Sequence, residues 1–112
     1  MDGGEKLASA LSTLACPVSQ APGQGGESYC VYKLVDGRYT GYASNEPTRT
    51  QHIAQVHMYS KSDAGIHRTL MNAAIVLLRG AGIRVFAWGP DDYEAETNTH
   101  HIAITVVWAQ KN

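Results

Sequence analysis

Histidine is the residue type in this chain best suited to chemistry, because its imidazole can bind a metal or move a proton near neutral pH. The chain has five histidines among 112 residues, and four lie in segments that alternate as β-strands do: His52, His57, His100 and His101. A metal centre needs three or four converging ligands. His100 and His101 are adjacent, and His52 and His57 are an odd number apart, so each pair should point to opposite sheet faces. The pattern favours ordinary hydrogen-bonded histidines over a metal site.

A second candidate for chemistry is an acidic stretch formed by Asp91, Asp92, Glu94 and Glu96. Clustered carboxylates can bind hard cations, but the spacing does not match a calcium loop, which has acids at alternate positions and a central glycine. The stretch is therefore predicted to be a solvated loop, with a docking patch for a basic partner as the alternative.

Motifs for nucleophilic or nucleotide chemistry are absent from the sequence, which contains neither G-x-S-x-G nor HExxH. The glycine-rich segment from Gly23 to Gly26 lacks the Lys-Ser/Thr ending of a phosphate loop. Cys16 and Cys30 have no metal-binding or redox spacing and are predicted to be reduced, partly buried thiols, although a disulfide between them is sterically possible. We therefore expect a protein that is not an enzyme and uses no cofactor.

Composition limits the partners of the chain. Its length fits one domain, and nine basic residues against ten acidic ones give a formal net charge of −1. A near-neutral, scattered charge argues against sequence-specific nucleic-acid binding. The longest apolar run, Ala73 to Leu78, is far too short to cross a membrane. The first residues do not resemble a secretory signal, so we expect assembly in the cytoplasm.

Hydrophobic spacing predicts two helices and five strands. Leu7, Leu11 and Leu14 form one stripe of a first helix, and a second, longer helix leaves His67 outside or at the edge of its apolar stripe. Ser62 or Asp63 should cap the second helix, and Gly80 should supply its left-handed end. The predicted helices are Gly3–Leu14 and Ala64–Arg79, and the predicted strands are Tyr29–Val35, Arg38–Ser44, Gln51–Lys61, Ile83–Trp88 and Thr99–Gln110.

The segments between these elements are predicted to be turns or loops. Asp36-Gly37 is typical of a type I′ hairpin turn. A flexible loop is expected at about residues 17–28, and polar loops are expected over Asn45–Thr50 and Gly89–Asn98. The third strand should place Ala54, Val56 and Met58 in the core.

The order α-β-β-β-α-β-β predicts an α+β domain: a mainly antiparallel open sheet with two helices packed on one face. An open sheet has exposed edges, and such edges can pair with another chain. Several tyrosines fall on strands, where core packing and interface burial are equally good explanations: Tyr32, Tyr39, Tyr42 and Tyr59.

An ordered set of short motifs over about residues 5–109 resembles the tail-completion and tail-terminator proteins of long-tailed bacteriophages. The most specific pieces are Val-x-x-Tyr-Ser-Lys-x-Asp from Val56 to Asp63, and Asp92-Tyr93-Glu94 ahead of a histidine-bearing last strand. The resemblance implies a virion protein of the tail or neck that forms a ring, often six-fold. Such a ring stops growth of the tail tube and docks to the head connector. The resemblance implies no catalysis and no cofactor.

Two predicted loops would be natural contact elements of such a ring. The candidate interface residues in them are Asn45, Glu46, Arg49, Asp91, Asp92, Tyr93, Glu94 and Glu96. Partners would be further copies of the chain, the tail tube protein and the head connector or stopper protein. The alternatives are a small metal- or ligand-binding module, suggested by the histidines and acids, and a regulatory dimer joined through edge strands.

Overall fold

A computed structural model of the chain describes residues 3–20, 27–43, 46–61 and 65–111. These residues form two helices and five strands in the order α1 (Gly3–Ala10), β1 (Val18–Gln20), β2 (Ser28–Ala43), β3 (Glu46–Ser60), α2 (Ile66–Gly80), β4 (Arg84–Glu94) and β5 (Thr99–Lys111). The strands make one sheet in the order β1-β2-β3-β5-β4. All neighbours pair antiparallel except β1 and β2, which are parallel. The predicted α+β class is confirmed, with a mixed sheet.

The core lies between the two helices and one face of the sheet. Ala54, Val56 and Met58 of β3 are completely buried there, as their alternation predicts. Both helices contribute to the same cluster, which also contains Leu7, Leu11, Leu14, Cys30, Tyr32, Leu70, Ala74, Leu78, Ile83, Ile102, Ile104, Val106 and Trp108. Leucines 11 and 14 reach this core from turns, because α1 itself ends at Ala10, earlier than its leucine spacing indicates.

The central hairpin is longer than its sequence indicates. Strand β2 runs through Asp36-Gly37, which pairs with Ile53 and His52 of β3, so the prediction of a turn there is wrong. The local preference of Asp-Gly appears only as a register shift between Leu34 and Asp36. Pairing with β3 outweighs this preference and extends to the pair Ala43↔Glu46.

The predicted loop Asn45–Thr50 is also wrong over its described part, residues 46–50. These residues belong to β3 and pair with β2, and Arg49 and Thr50 also pair with β5. Backbone pairing with β2, joined by pairing with β5 at Arg49 and Thr50, keeps this polar segment extended.

The predicted acidic loop Gly89–Asn98 is likewise mostly strand. Strand β4 continues to Glu94, with register shifts between Val85 and Ala87 and between Trp88 and Asp91. A short turn closes the hairpin to β5, and Asn98 adopts a left-handed conformation with φ 50°. Acidic side chains are compatible with this strand because they are exposed at the sheet edge.

The segment at 17–28 is not wholly a loop. Strand β1 pairs with β2 from Val18↔Cys30 to Gln20↔Tyr32, and the Cys30 amide donates to the Pro17 carbonyl at 2.9 Å. Three residues are too few to show a clear alternation, which is why the pattern missed this strand. The rest of the predicted loop, residues 21–26, lies outside the described residues.

Helix α2 differs from its prediction in two details. His67 is 1 % exposed and packs in the interior, although its polarity placed it outside or at the edge of the apolar stripe. The left-handed glycine after the helix is Gly82, with φ 79°, because Gly80 still belongs to the last turn. The predicted caps Ser62 and Asp63 lie outside the described residues. Over the described ranges, no helix is long and apolar enough to span a membrane.

Candidate assembly surface

The sheet has a second broad face, on the side opposite the helices. Side chains alternate along each strand, so the residues next to the core positions point away from the helices. None of the described helices packs on this second face, which we call the open face. Its two halves differ: one carries a row of aromatic and imidazole rings, and the other carries an apolar groove.

The row of rings crosses β2, β3 and β5. Tyr29 stacks on Tyr59 with ring centroids 4.7 Å apart, and Tyr59 stacks on His101 at 4.5 Å with only 6° between the planes. His57 continues the row and stacks on His101 at 4.9 Å. We call these four residues the ring ladder. Stacked cross-strand pairs of this kind stiffen a sheet and present amphipathic area to a partner.

Two histidines of the ring ladder share a hydrogen bond. His57 Nδ1 lies 2.7 Å from His101 Nε2, and His57 Nε2 lies 3.3 Å from Gln55 Oε1. If His57 donates to the Gln55 oxygen, its Nδ1 is left to accept the proton of His101 Nε2. Burial lowers the pKa of both imidazoles, and their mutual repulsion as cations lowers the pKa of His57 further. Although Asp92 and Glu94 raise the pKa of His101, the net lowering favours the neutral form of the pair.

The apolar groove lies on the same face beside edge strand β4. It has a volume of about 290 Å³ and is lined by Gln51, Ile53, Arg84, Phe86, Thr105 and Val107. Phe86 is 66 % exposed, which is unusual for a phenyl ring on a strand. We call this feature the sheet groove. Exposed apolar surface of this kind is typical of contact sites between proteins.

The acidic residues predicted as a contact element do not act as one cluster. Asp91 faces the helices and accepts hydrogen bonds from His67 Nε2 at 2.7 Å and Arg68 Nε at 2.6 Å. These donors lower the pKa of the Asp91 carboxyl, with the bond from His67 as the largest cause. Asp92 instead lies opposite His101 in the backbone pairing of β4 with β5. Asp91 thus connects β4 to α2 by hydrogen bonds, whereas Asp92 lies on the open face.

The other predicted contact residues of this segment surround the β4–β5 turn. The Tyr93 hydroxyl donates to Asn98 Oδ1, and its ring lies 4.6 Å from the ring of His100. Glu94 accepts from the Thr97 hydroxyl at 3.2 Å, and Glu96 is exposed within the turn. These residues shape one end of the sheet and remain accessible.

The second predicted contact element, Asn45 with Glu46 and Arg49, is described only in part. Asn45 lies outside the described residues. Glu46 and Arg49 pair through their backbones with Ala43 and Thr40 of β2, at the tip of the long hairpin. The two predicted elements therefore lie in different parts of the sheet. Glu46 and Arg49 lie near the end of the β2–β3 hairpin, whereas the acidic residues lie along edge strand β4 and the turn after it.

The predicted division of the histidines between two faces is confirmed. His52 stacks on Trp108, and His100 stacks on His67, both on the side of the sheet that carries the helices. His57 and His101 lie on the open face. Within the described ranges, no group of three or more histidine, cysteine or acidic side chains is placed to hold a metal ion.

Sequence reasoning missed two contacts that the fold creates. The His67–Asp91 bond joins residues that are 24 positions apart, and the His57–His101 bond joins residues that are 44 positions apart. The second could have been found from strand register, since β3 and β5 both alternate clearly. Nothing in the local pattern around His67 indicates its partner.

The two cysteines are free thiols, as predicted. Burial, and to a smaller extent the neighbouring Cys16, raise the pKa of Cys30 to about 12. Burial also raises the pKa of the half-buried Cys16. Both thiols are therefore held in the protonated, weakly reactive form.

Comparisons with known proteins find similarity at the level of structure. No protein-family model and no curated protein matches the chain. A solved structure titled "Virion of native gene transfer agent (GTA) particle" contains a chain that aligns with 95 % of this protein over 84 % of its own length. The aligned residues are 14 % identical and the TM-score is 0.46. A similarity at this level establishes neither a family nor a shared fold.

Proposed function

We propose that this chain is a structural subunit of the head–tail interface of a bacteriophage or phage-like particle. In this role it forms a ring, expected to be six-fold, that caps the tail tube and docks to the head connector. The proposal starts from the motif resemblance around Val56–Asp63 and Asp92–Glu94. The structural observation that carries it is the open face, which offers stacked rings and an apolar groove to a partner.

A non-catalytic role is part of the same proposal. The polar groups that could do chemistry are occupied by structural contacts: His67 and Arg68 hold Asp91, and His57 and His101 hold each other. A general base must be within reach of a substrate in a cleft, whereas His67 is buried and its Nε2 is bound to Asp91. These paired groups support a scaffold that needs neither a substrate nor a cofactor.

The regulatory dimer is supported less well by the edges of the sheet. On one edge, strand β1 has only three residues, and the part of β2 after Tyr32 pairs with β3 alone. Edge strand β4 contains Pro90, which has no amide hydrogen to donate, and two register shifts. Short strands, prolines and bulges are devices that oppose edge-to-edge pairing. Association through a face agrees better with these features than association through an edge.

The proposal is tested by mixing the purified protein with tail tubes and, separately, with head connectors, followed by negative-stain electron microscopy. We expect added density at one end of each tube, with the rotational symmetry of a ring. Isolated monomer alone does not count against the proposal, because docking can trigger ring closure. A protein that stays monomeric and binds neither tubes nor connectors contradicts it.

A further inference from the structure

The helical layer carries an exposed apolar ridge on the side away from the sheet. Val76 of α2 is 71 % exposed, although valine is usually buried. Two clefts of about 500 and 370 Å³ flank it, and both are lined by Leu77 and by residues of α1 or the turns after it. Ala10 and Leu14 contribute to these clefts. We call Val76 and its apolar flanks the helix ridge.

The helix ridge and the sheet groove lie on opposite broad faces of a two-layer domain. Within one subunit the sheet and its core therefore separate them, and they cannot cover each other. Each is apolar and exposed: Val76 projects from the first, and Ile53, Val107 and Phe86 line the second. The domain thus carries a projecting apolar surface on one face and a concave one on the other.

We propose that a second copy of this chain covers the sheet groove, with the helix ridge of one subunit packed into the sheet groove of the next, head to tail. The inference rests on the proposed ring and names the surfaces that build it. A head-to-tail contact uses a different patch on each subunit and generates a ring when the rotation closes. Every ridge and every groove is then buried. A two-fold contact would cover only one patch and leave the other in water.

Size agrees with this arrangement. The long and intermediate dimensions of the domain are 54 and 24 Å. A face of that extent exceeds the roughly 800 Å² that each partner contributes to a stable interface of standard size. The short strand β1 and the proline-containing, bulged strand β4 oppose self-association through those two edge strands.

Two single substitutions test the pairing because each damages one patch only. Val76→Asp removes the ridge and keeps the groove, whereas Phe86→Asp damages the groove and keeps the ridge. Each should weaken self-association and ring formation on tail tubes by roughly tenfold or more. An equimolar mixture should form dimers that grow no further, since it contains one intact ridge and one intact groove. Lys61→Glu, at an exposed position after β3, is the charge-changing control and should assemble as the wild type does.

Cysteine cross-linking gives an independent readout that does not rely on weakened variants. In a Cys16→Ser background, Val76→Cys and Gln51→Cys proteins are mixed on tail tubes and treated with a short bismaleimide. Buried Cys30 should not react. We expect cross-links between the two different variants, and none within a sample of either variant alone. Cross-links from Val76→Cys to itself would indicate a two-fold contact and overturn the inference.

The outcomes separate the inference from the proposed function. If the wild type forms rings and both aspartate variants form them equally well, the face assignment is wrong and the ring role stands. If the wild type self-associates under conditions in which the mixture of variants yields no dimer, the head-to-tail pairing is also wrong. If the wild type binds neither tubes nor connectors, the proposed function fails, and the inference fails with it.

Discussion

The hydrogen bond between Asp91 and His67 gives the sharpest prediction about stability. It connects edge strand β4 to helix α2, and His67 is 1 % exposed while the Asp91 side chain is 23 % exposed. Nδ1 of His67 is buried without a partner, so Asp91→Ala would leave both ring nitrogens of a buried imidazole unsatisfied. The replaced carboxylate also pairs with Arg68, whose side chain is 63 % exposed.

The two contacts should differ in magnitude. Leaving a buried polar group unsatisfied costs about 1–3 kcal/mol, whereas an exposed ion pair contributes about 0–1 kcal/mol. We expect Asp91→Ala to lower the free energy of unfolding by about 1.5 kcal/mol, and Arg68→Gln by less than about 0.5 kcal/mol. For a domain of this size, the first change lowers the melting temperature by about 6 °C.

Urea denaturation at pH 7, monitored by circular dichroism, measures the free energy of unfolding lost in each variant. The double variant His67→Leu/Asp91→Ala is the informative control, because it removes the buried imidazole together with its acceptor and should recover part of the loss. If Asp91→Ala costs no more than Arg68→Gln, the His67 bond contributes nothing and the reasoning is refuted.

The same bond predicts a pH dependence. The donors His67 and Arg68 lower the pKa of Asp91 in the folded state, so the unfolded chain, with a carboxyl pKa near 3.9, binds this proton more readily. The contribution of Asp91 is therefore complete above the unfolded pKa and is lost as the pH falls through the lower, folded pKa. The stability difference between wild type and Asp91→Ala should shrink below about pH 4.

Three further predictions concern the backbone, the imidazole pair and the buried thiol. Gly82→Ala places a side chain at a φ of 79° and should cost about 1 kcal/mol in thermal or urea unfolding, whereas Gly80→Ala, within the helix and with open space around it, should be neutral or stabilising. His57 and His101 have lowered pKa values in the folded state, so the unfolded chain binds protons more readily and stability should fall as the pH drops below about 6.5. In the double glutamine variant, the melting temperature should change less between pH 7 and 5 than it does in the wild type. Cys30, with a pKa of about 12, should react with iodoacetamide at pH 8 only after denaturant is added, and rapid labelling of the folded protein would contradict its burial.

The parts of the fold that follow from the sequence are those with a strong, repeated hydrophobic pattern. Alternation in β3 and β5 indicates their core faces, and the 3.6-residue spacing of α2 indicates its existence and nearly its length. The strand boundaries do not follow. Asp36-Gly37 and the segment after Gly89 have turn-forming residues, but pairing with strands distant in sequence keeps both extended. Local preference is weak compared with a ladder of backbone hydrogen bonds.

The candidate surface could be predicted only in outline. The sequence predicts that sheet edges and exposed residues make the contacts with partners. It also places Asp91 and Asp92 together in one contact element. The fold separates them, because adjacent residues of a strand point to opposite faces. The exposure of Phe86 and Val76 was not predicted, since it depends on which faces the helices leave uncovered.

Growth of tail tubes in the presence of this protein tests the central claim most directly. Tail tube protein is allowed to polymerise with and without the chain, and tube lengths and bound copies per tube are measured by electron microscopy and quantitative mass spectrometry. The account predicts that the added protein stops elongation and binds as one ring, about six copies, at a single tube end. Unchanged tube lengths with no protein at the tube ends would contradict it.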